Sequence, residues 1–157
     1  MRVGIGYDSH RFDVTRPLVL GGLTIPGTPG LLGHSDADAV CHALTDAMLG
    51  AAALGDIGRH FPDTDPAWAG ADSVRMMRTA HDLVRGSGWT LNQADVTVIA
   101  QVPRLAPHVD AMRARLAEAL EVGQAAISIK AKTNEGMGFI GRGEGIAVMA
   151  VVTLTVV

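Results

Sequence analysis

The first twelve residues, MRVGIGYDSHRF (1–12), decide how the rest of the chain is read. Residues 2–7 are an apolar run interrupted by Gly4 and Gly6, and they read as a strand. A carboxylate and an imidazole, Asp8 and His10, follow two positions apart. Alternate side chains of a strand share a face, so these two project from one side with Cα atoms about 7 Å apart, close enough to share one ion. The polar end of an ordinary strand looks the same, and both readings stay open here.

Working outward, residues 17–25 read as strand interrupted by Gly21-Gly22, as a hairpin turn would be. A Gly- and Pro-rich loop, IPGTPGLLGHS (25–35), leads to the clearest helix, Asp36–Leu54. Its apolar stripe is Val40, Leu44, Ala47, Ala51 and Leu54, at helical spacing. Ser35 with Asp38 three residues later resembles a capping box. Gly and Pro punctuate GDIGRHFPDTDPAWAGAD (55–72), which reads as a long loop of the kind that commonly carries function. A helix over 73–85, a strand over 94–101, a helix opened by Pro107, a strand over 126–133 and the final GIAVMAVVTLTVV (145–157) complete the pattern.

This alternation predicts an α/β (α+β) layer with helices on one face of a mixed sheet. The last strand is apolar on both sides: Ile146, Val148, Ala150, Val152 and Leu154 alternate with Ala147, Met149 and Val151. Helices bury only one of those faces, so the other predicts association through the sheet; a fully wrapped central strand is the alternative.

A chain of 157 residues fits one domain, 1–157. Hydrophobic residues make up 48 % but aromatics only 4 %, which predicts close packing of short side chains. Thirteen basic against sixteen acidic residues, with no Lys/Arg run, argue against a nucleic-acid or anionic-membrane surface. The lone Cys41 excludes an intrachain disulfide, and neither a signal peptide nor a membrane-spanning run is visible, so a soluble cytoplasmic protein is expected.

On the long helix, Asp38, His42 and Asp46 form a polar line about 200° from the core stripe. A solvated face would look similar. If helix and strand meet, however, Asp8, His10 and His42 make a ligand set suited to zinc, with a fourth tetrahedral position left open as in catalytic sites. His34 and Ser35 open the same helix, where backbone N–H groups favour a phosphate, although Ser35 also reads as a plain cap. KAKTNEGMGFIGRGEGI (130–146) gathers Lys132, Thr133, Asn134 and Glu135 after a strand. It fits no nucleotide-loop pattern and is either a flexible hairpin or a joint phosphate and second-metal site. Cys41 points away from His42, and His60, His81 and His108 read as surface or cap histidines.

Four segments, DSHRF (8–12), LLGHSDAD (31–38), HALTDAMLGAAALGDIGRHFPDTDP (42–66) and KTNEGMGFIGRGEGIA (132–147), together resemble one family, the 2-C-methyl-D-erythritol 2,4-cyclodiphosphate synthases of the non-mevalonate isoprenoid pathway. The resemblance implies a homotrimer of ferredoxin-like subunits, each a mixed four-stranded sheet facing the threefold axis, with active sites between neighbours. It implies Zn2+ on Asp8, His10 and His42, a second cation (Mg2+ or Mn2+) assisted by Glu135, and catalytic roles for His34, Thr133 and Glu135. Substrate contacts fall by the same resemblance on Asp8, Ser9, His10, His34, Ser35, Asp56, Ile57, Gly58, Phe61, Pro62, Asp63, Thr64 and Asp65. From the adjacent subunit come Ala100, Gln101, Val102, Pro103, Arg104, Leu105 and Ala106, with Ala131, Lys132, Thr133, Asn134 and Glu135, which receive the cytidine and its phosphates.

The implied reaction is intramolecular closure of a cyclic diphosphate with loss of CMP. Arg104 stands where many members carry Lys, which keeps the charge but changes donor geometry. Phe139, Arg142 and Glu144 resemble residues that line an axial cavity for an isoprenoid diphosphate in some members. Two rival readings of the same residues are a zinc-dependent phosphohydrolase and a non-enzymatic trimeric scaffold with structural zinc.

Overall fold

The computed structural model describes residues 1–157. Five strands, β1 (Arg2–Leu20), β2 (Leu23–Leu31), β3 (Trp89–Ile99), β4 (Ile127–Lys132) and β5 (Gly145–Val156), form a sheet in the order β2-β1-β5-β3-β4. Only β3 and β4 run parallel; the other neighbours are antiparallel. The helices are α1 (Ala39–Ala52), α2 (Ile57–His60), α3 (Ser73–Gly86), α4 (Val109–Ala119) and α5 (Gly138–Gly141). None is long and apolar enough to cross a membrane.

The implied four strands are five here, because β1 does not stop at residue 7. It pairs with β5 as far as Arg11 and from Phe12 onward pairs with β2. The hairpin turn lies at Gly21-Gly22 as expected, with φ of 58° and 75°, a conformation that glycine adopts without steric cost. The connectivity also departs from the ferredoxin-like βαββαβ order. With the β2 arm and the one-turn helices set aside, the order is β-α-α-β-α-β-β: α4 crosses from β3 to its parallel neighbour β4, and β5 then inserts antiparallel between β1 and β3.

Helix α1 begins three residues later than its periodicity implies. Ala37 has φ of 59°, outside helical space, and Asp38 rather than Ser35 is the cap, accepting from the backbone N–H groups of Val40 and Cys41. The same carboxylate accepts from Gly21 N and Gly22 N at 2.9 and 2.7 Å, tying the hairpin turn to the helix start. Asp38 is therefore fully buried and not part of a solvated polar line. Burial pushes its carboxyl up in pKa, against the pull of the hydrogen bonds from Gly22, Cys41 and Gly21.

The two glycines of the opening run are what let α1 lie on β1. A Cβ on Gly4 would sit 2.0 Å from the Ala47 carbonyl oxygen, and one on Gly6 would sit 1.9 Å from that of Ala43. Small residues on both elements permit this approach, and α1 is buried almost all round, with Val40, Leu44 and Ala47 at zero exposure. On β5, Ile146, Val148, Ala150, Val152 and Leu154 are fully buried beneath the helices. The opposite face of the sheet is bare: Val3, Ile5, Tyr7, Met149 and Val151 are 41–66 % exposed. His81, expected at the surface, is instead buried, because α3 turns it onto the start of β3 beside Thr90 and Leu91.

Candidate active site

Gly4, Gly6, Asp8 and His10 share one face of β1, so the face that admits α1 also presents the two polar side chains to it. His42, one turn into α1, meets them. Asp8 Oδ2 lies 2.8 Å from His10 Nε2 and 3.1 Å from His42 Nδ1, and the two ring nitrogens are 3.3 Å apart. Tetrahedral zinc with bonds of about 2.0–2.1 Å places its ligand atoms about 3.3 Å from one another. The three atoms therefore form one face of a coordination tetrahedron, a group able to hold a metal ion.

Its electrostatics suit a cation. Burial would raise the Asp8 pKa, but hydrogen bonds and charge from His10 and His42 outweigh it and hold the carboxyl at about 2. Burial lowers the His10 pKa, and Asp8 more than reverses this, leaving it above the usual histidine value. A proton shared by Asp8 and His10 is thus what a metal ion displaces. His10 Nδ1 donates to the Leu32 carbonyl at 2.7 Å, which turns Nε2 toward the cluster.

His10 and His42 line a cleft of about 390 Å³ together with His34, Ser35, Ile57, Gly58, Phe61, Pro62 and Asp63. His34 is exposed at its mouth, with Nε2 3.2 Å from the Asp65 carbonyl. Ser35 is buried and its Oγ faces His42 Nε2 at 3.0 Å. The apolar wall is Phe61 packed edge-on against Trp68, centroids 4.9 Å apart. Asp46 Oδ1 accepts from Ile57 N at 2.7 Å and Asp56 caps α2 through Arg59 N at 2.9 Å, so segment 56–58 is fixed from both sides. Thr64 is exposed.

A second cleft, of about 340 Å³, is lined by segments 100–106 and 131–133. Parallel β3 and β4 end side by side there, with Ala100 N donating to the Lys132 carbonyl at 2.9 Å. Thr133 and Glu135 are exposed, and the Thr133 hydroxyl donates to Glu135 Oε1 at 3.2 Å. Glu135 has φ of 51°, a left-handed backbone that costs an ordinary residue about 1 kcal/mol. Asn134 donates to the Met137 carbonyl at 2.8 Å. Ser9 lines neither cleft; it lies in a third recess with His10, Arg11, Phe139 and Glu144, where Arg142 is paired with Glu144 at 2.7 Å.

Sequence reasoning missed several residues that shape the site. Arg16 donates to the carbonyls of Gly33 and Ser35 and so holds the loop that carries His34. Asp36 and Ser73 bond each other beside His42. Trp68 and Met76 complete the wall. Asp36 and Trp68 lay within segments singled out beforehand; Arg16, Ser73 and Met76 gave no local signal.

A profile of the YgbB family matches residues 1–155. The 2-C-methyl-D-erythritol 2,4-cyclodiphosphate synthase of Bordetella pertussis is 57 % identical over 153 residues, 98 % of this chain and 94 % of that protein. Among solved structures, the bifunctional IspDF of Campylobacter jejuni superposes with a TM-score of 0.96 at 45 % identity, over 99 % of this chain and 42 % of that longer one. A CDP-bound 2C-methyl-D-erythritol-2,4-cyclodiphosphate synthase gives a TM-score of 0.90 at 44 % identity, covering 98 % of this chain and all of the other. The chain thus belongs to the YgbB family, the family of the 2-C-methyl-D-erythritol 2,4-cyclodiphosphate synthases.

Proposed function

We propose that this chain converts 4-diphosphocytidyl-2-C-methyl-D-erythritol 2-phosphate to 2-C-methyl-D-erythritol 2,4-cyclodiphosphate and CMP, in a metal-dependent intramolecular phosphoryl transfer. An oxygen of the 2-phosphate forms a bond to the β-phosphorus, and the bond from that phosphorus to the oxygen bridging it to the α-phosphate breaks. CMP leaves with the electron pair. The observation that carries this reading is the convergence of Asp8 Oδ2, His10 Nε2 and His42 Nδ1 within 3.3 Å at the floor of a cleft.

No protein nucleophile is needed. The residues position two like-charged phosphates and offset their charge. Asp8, His10 and His42 would hold Zn2+, which supplies a Lewis acid for a phosphate oxygen when bound. Glu135 would assist a second divalent cation. His34 would turn its Nε2–H from the Asp65 carbonyl to a phosphate. Phe61 and Trp68 shield one side of the cleft from water while segment 56–58 and Asp63 offer polar groups to the methylerythritol hydroxyls. Lys132 and Arg104 bring positive charge to the cytidine-side cleft of a chain whose net charge is −3. Thr133 stands beside Glu135 there to steady the departing phosphate.

The two clefts share no lining residue, and the bare apolar sheet face fits a second copy of the chain. Both features support a homotrimer in which each site joins the metal cleft of one subunit to the 100–106 and 131–135 segments of the next. The third recess, with Phe139 near Arg142 and Glu144, is the place where an axial isoprenoid diphosphate would sit.

Product analysis tests the reading. Incubation of the zinc-loaded protein with this substrate is expected to release CMP and a cyclic diphosphate in equal amounts. Release of a linear phosphate would identify a hydrolase, and absence of turnover would contradict the proposal.

A further inference from the structure

The outer surroundings of His42 carry an inference that rests on reading Asp8, His10 and His42 as a metal site. His42 Nδ1 faces that cluster, and its Nε2 lies 2.9 Å from Ser73 Oγ and 3.0 Å from Ser35 Oγ. Ser73 is fully buried at the first turn of α3, and Ser35 is 4 % exposed. Beyond them sits Asp36. Its Oδ1 is 2.5 Å from Ser73 Oγ, and its Oδ2 accepts the Ser73 backbone N–H at 3.2 Å.

Proton counting gives this chain a direction. A carboxylate only accepts, so the Ser73 hydroxyl proton is committed to Asp36 and the Ser73 oxygen turns only lone pairs toward the histidine. Ser35 Oγ accepts the Ala37 N–H at 3.2 Å and has the Ser73 oxygen 3.1 Å away for its own proton. An unprotonated Nε2 would meet the Ser73 oxygen lone pair to lone pair at 2.9 Å. Nε2 therefore carries a proton, and the nitrogen left to meet a cation is Nδ1, 3.1 Å from Asp8 Oδ2.

We infer that Ser73 and Asp36 are positioning residues that hold His42 in one ring orientation with Nε2 protonated, so that Nδ1 is the nitrogen a metal ion meets. Asp36 is itself fixed by the backbone: its N–H donates to the Ala71 carbonyl at 3.0 Å, and its Oδ1 also accepts from Asp38 N at 3.1 Å. The long loop 55–72 and the start of α3 thus reach the His42 cluster through a hydroxyl and a carboxylate that line neither cleft. Loss of such an outer partner typically weakens metal binding about 10–100-fold.

The test is Zn2+ titration against a competing chromogenic chelator for the wild type, Ser73→Ala and Asp36→Asn, with 15N spectra of the imidazole of His42 in the metal-free proteins. Ser73→Ala is expected to bind Zn2+ about 10–100-fold more weakly and to shift the His42 Nε2 signal from the fully protonated position toward a mixture. Asp36→Asn is expected to move both readouts the same way by less. Unchanged affinity together with unchanged imidazole shifts would overturn the inference. If Ser73→Ala fails to fold, Asp36→Asn is judged alone by the same two readouts. A wild type that binds no Zn2+ overturns the metal-site reading itself, while the metal-free spectra still decide whether Nε2 is protonated.

Discussion

The two clefts of this chain are built in opposite ways. Around His42 every polar group has a partner within the subunit: Asp8, His10, Ser35, Ser73 and Asp36 bond one another, and the ligand atoms already stand at metal-binding separations. Around Thr133 the side chains are exposed, and the segments 100–106 and 131–133 line a cleft of similar size at the ends of two strands. The difference teaches that preorganisation is concentrated where three ligand atoms could hold a small, highly charged ion. On the proposed reading, the second cleft is a platform for the cytidine that a neighbouring subunit completes.

The largest effect expected from this contrast is on the metal side. His42→Ala should lose bound zinc and lower CMP release by about 10³-fold or more, since one removed charge-stabilising group alone can cost 10²–10³-fold. Metal analysis beside a turnover assay checks it, and full activity in the metal-free variant would break the contrast. Thr133→Ala should keep its zinc and still lose most turnover.

Mixing those two inactive variants sharpens the comparison further. If each site joins two subunits, random co-assembly restores about a quarter of wild-type activity, because one interface in four pairs an intact metal cleft with an intact Thr133. Clefts that work within one subunit would give no recovery. Next in size, Gly6→Ala should destabilise the fold by about 1–3 kcal/mol, as overpacking does, because its Cβ would meet the Ala43 carbonyl. Urea unfolding measures that loss, and zinc affinity should fall with it as α1 is pushed from β1.

The smallest effect concerns a histidine outside both clefts. His10 is raised in pKa by its carboxylate, whereas burial, with Arg85 nearby, lowers His81 below 6.5. A depressed histidine contributes stability that is fully present above pH 6.5 and is lost as pH falls through its lower folded value. His81→Gln should therefore flatten the acid side of the stability profile just below pH 6.5. An unchanged profile would mean that His81 titrates normally.

Much of the metal cleft could be read from the chain because its ligands obey local periods. Asp8 and His10 alternate on a strand, and the quoted segments in register identified the family. The helical period failed at Asp38, since it assumed a helix already running at residue 36, whereas Ala37 is left-handed and Asp38 caps. The length of β1 was hidden because residues 8–16 carry no alternating apolar signal. Ser73 gave none either: its hydroxyl meets Asp36 across 37 residues, and only the packed course of the intervening loop brings them together. Gly4 and Gly6 were visible as strand interruptions, but their part in admitting α1 depends on which helix covers them.

The most direct test is a crystal structure with CDP and zinc, with anomalous data collected at the zinc absorption edge. The account predicts one strong peak within bonding distance of Asp8 Oδ2, His10 Nε2 and His42 Nδ1, whose fourth ligand is a phosphate oxygen of CDP. No peak there, or a fourth protein side chain in that position, would contradict it.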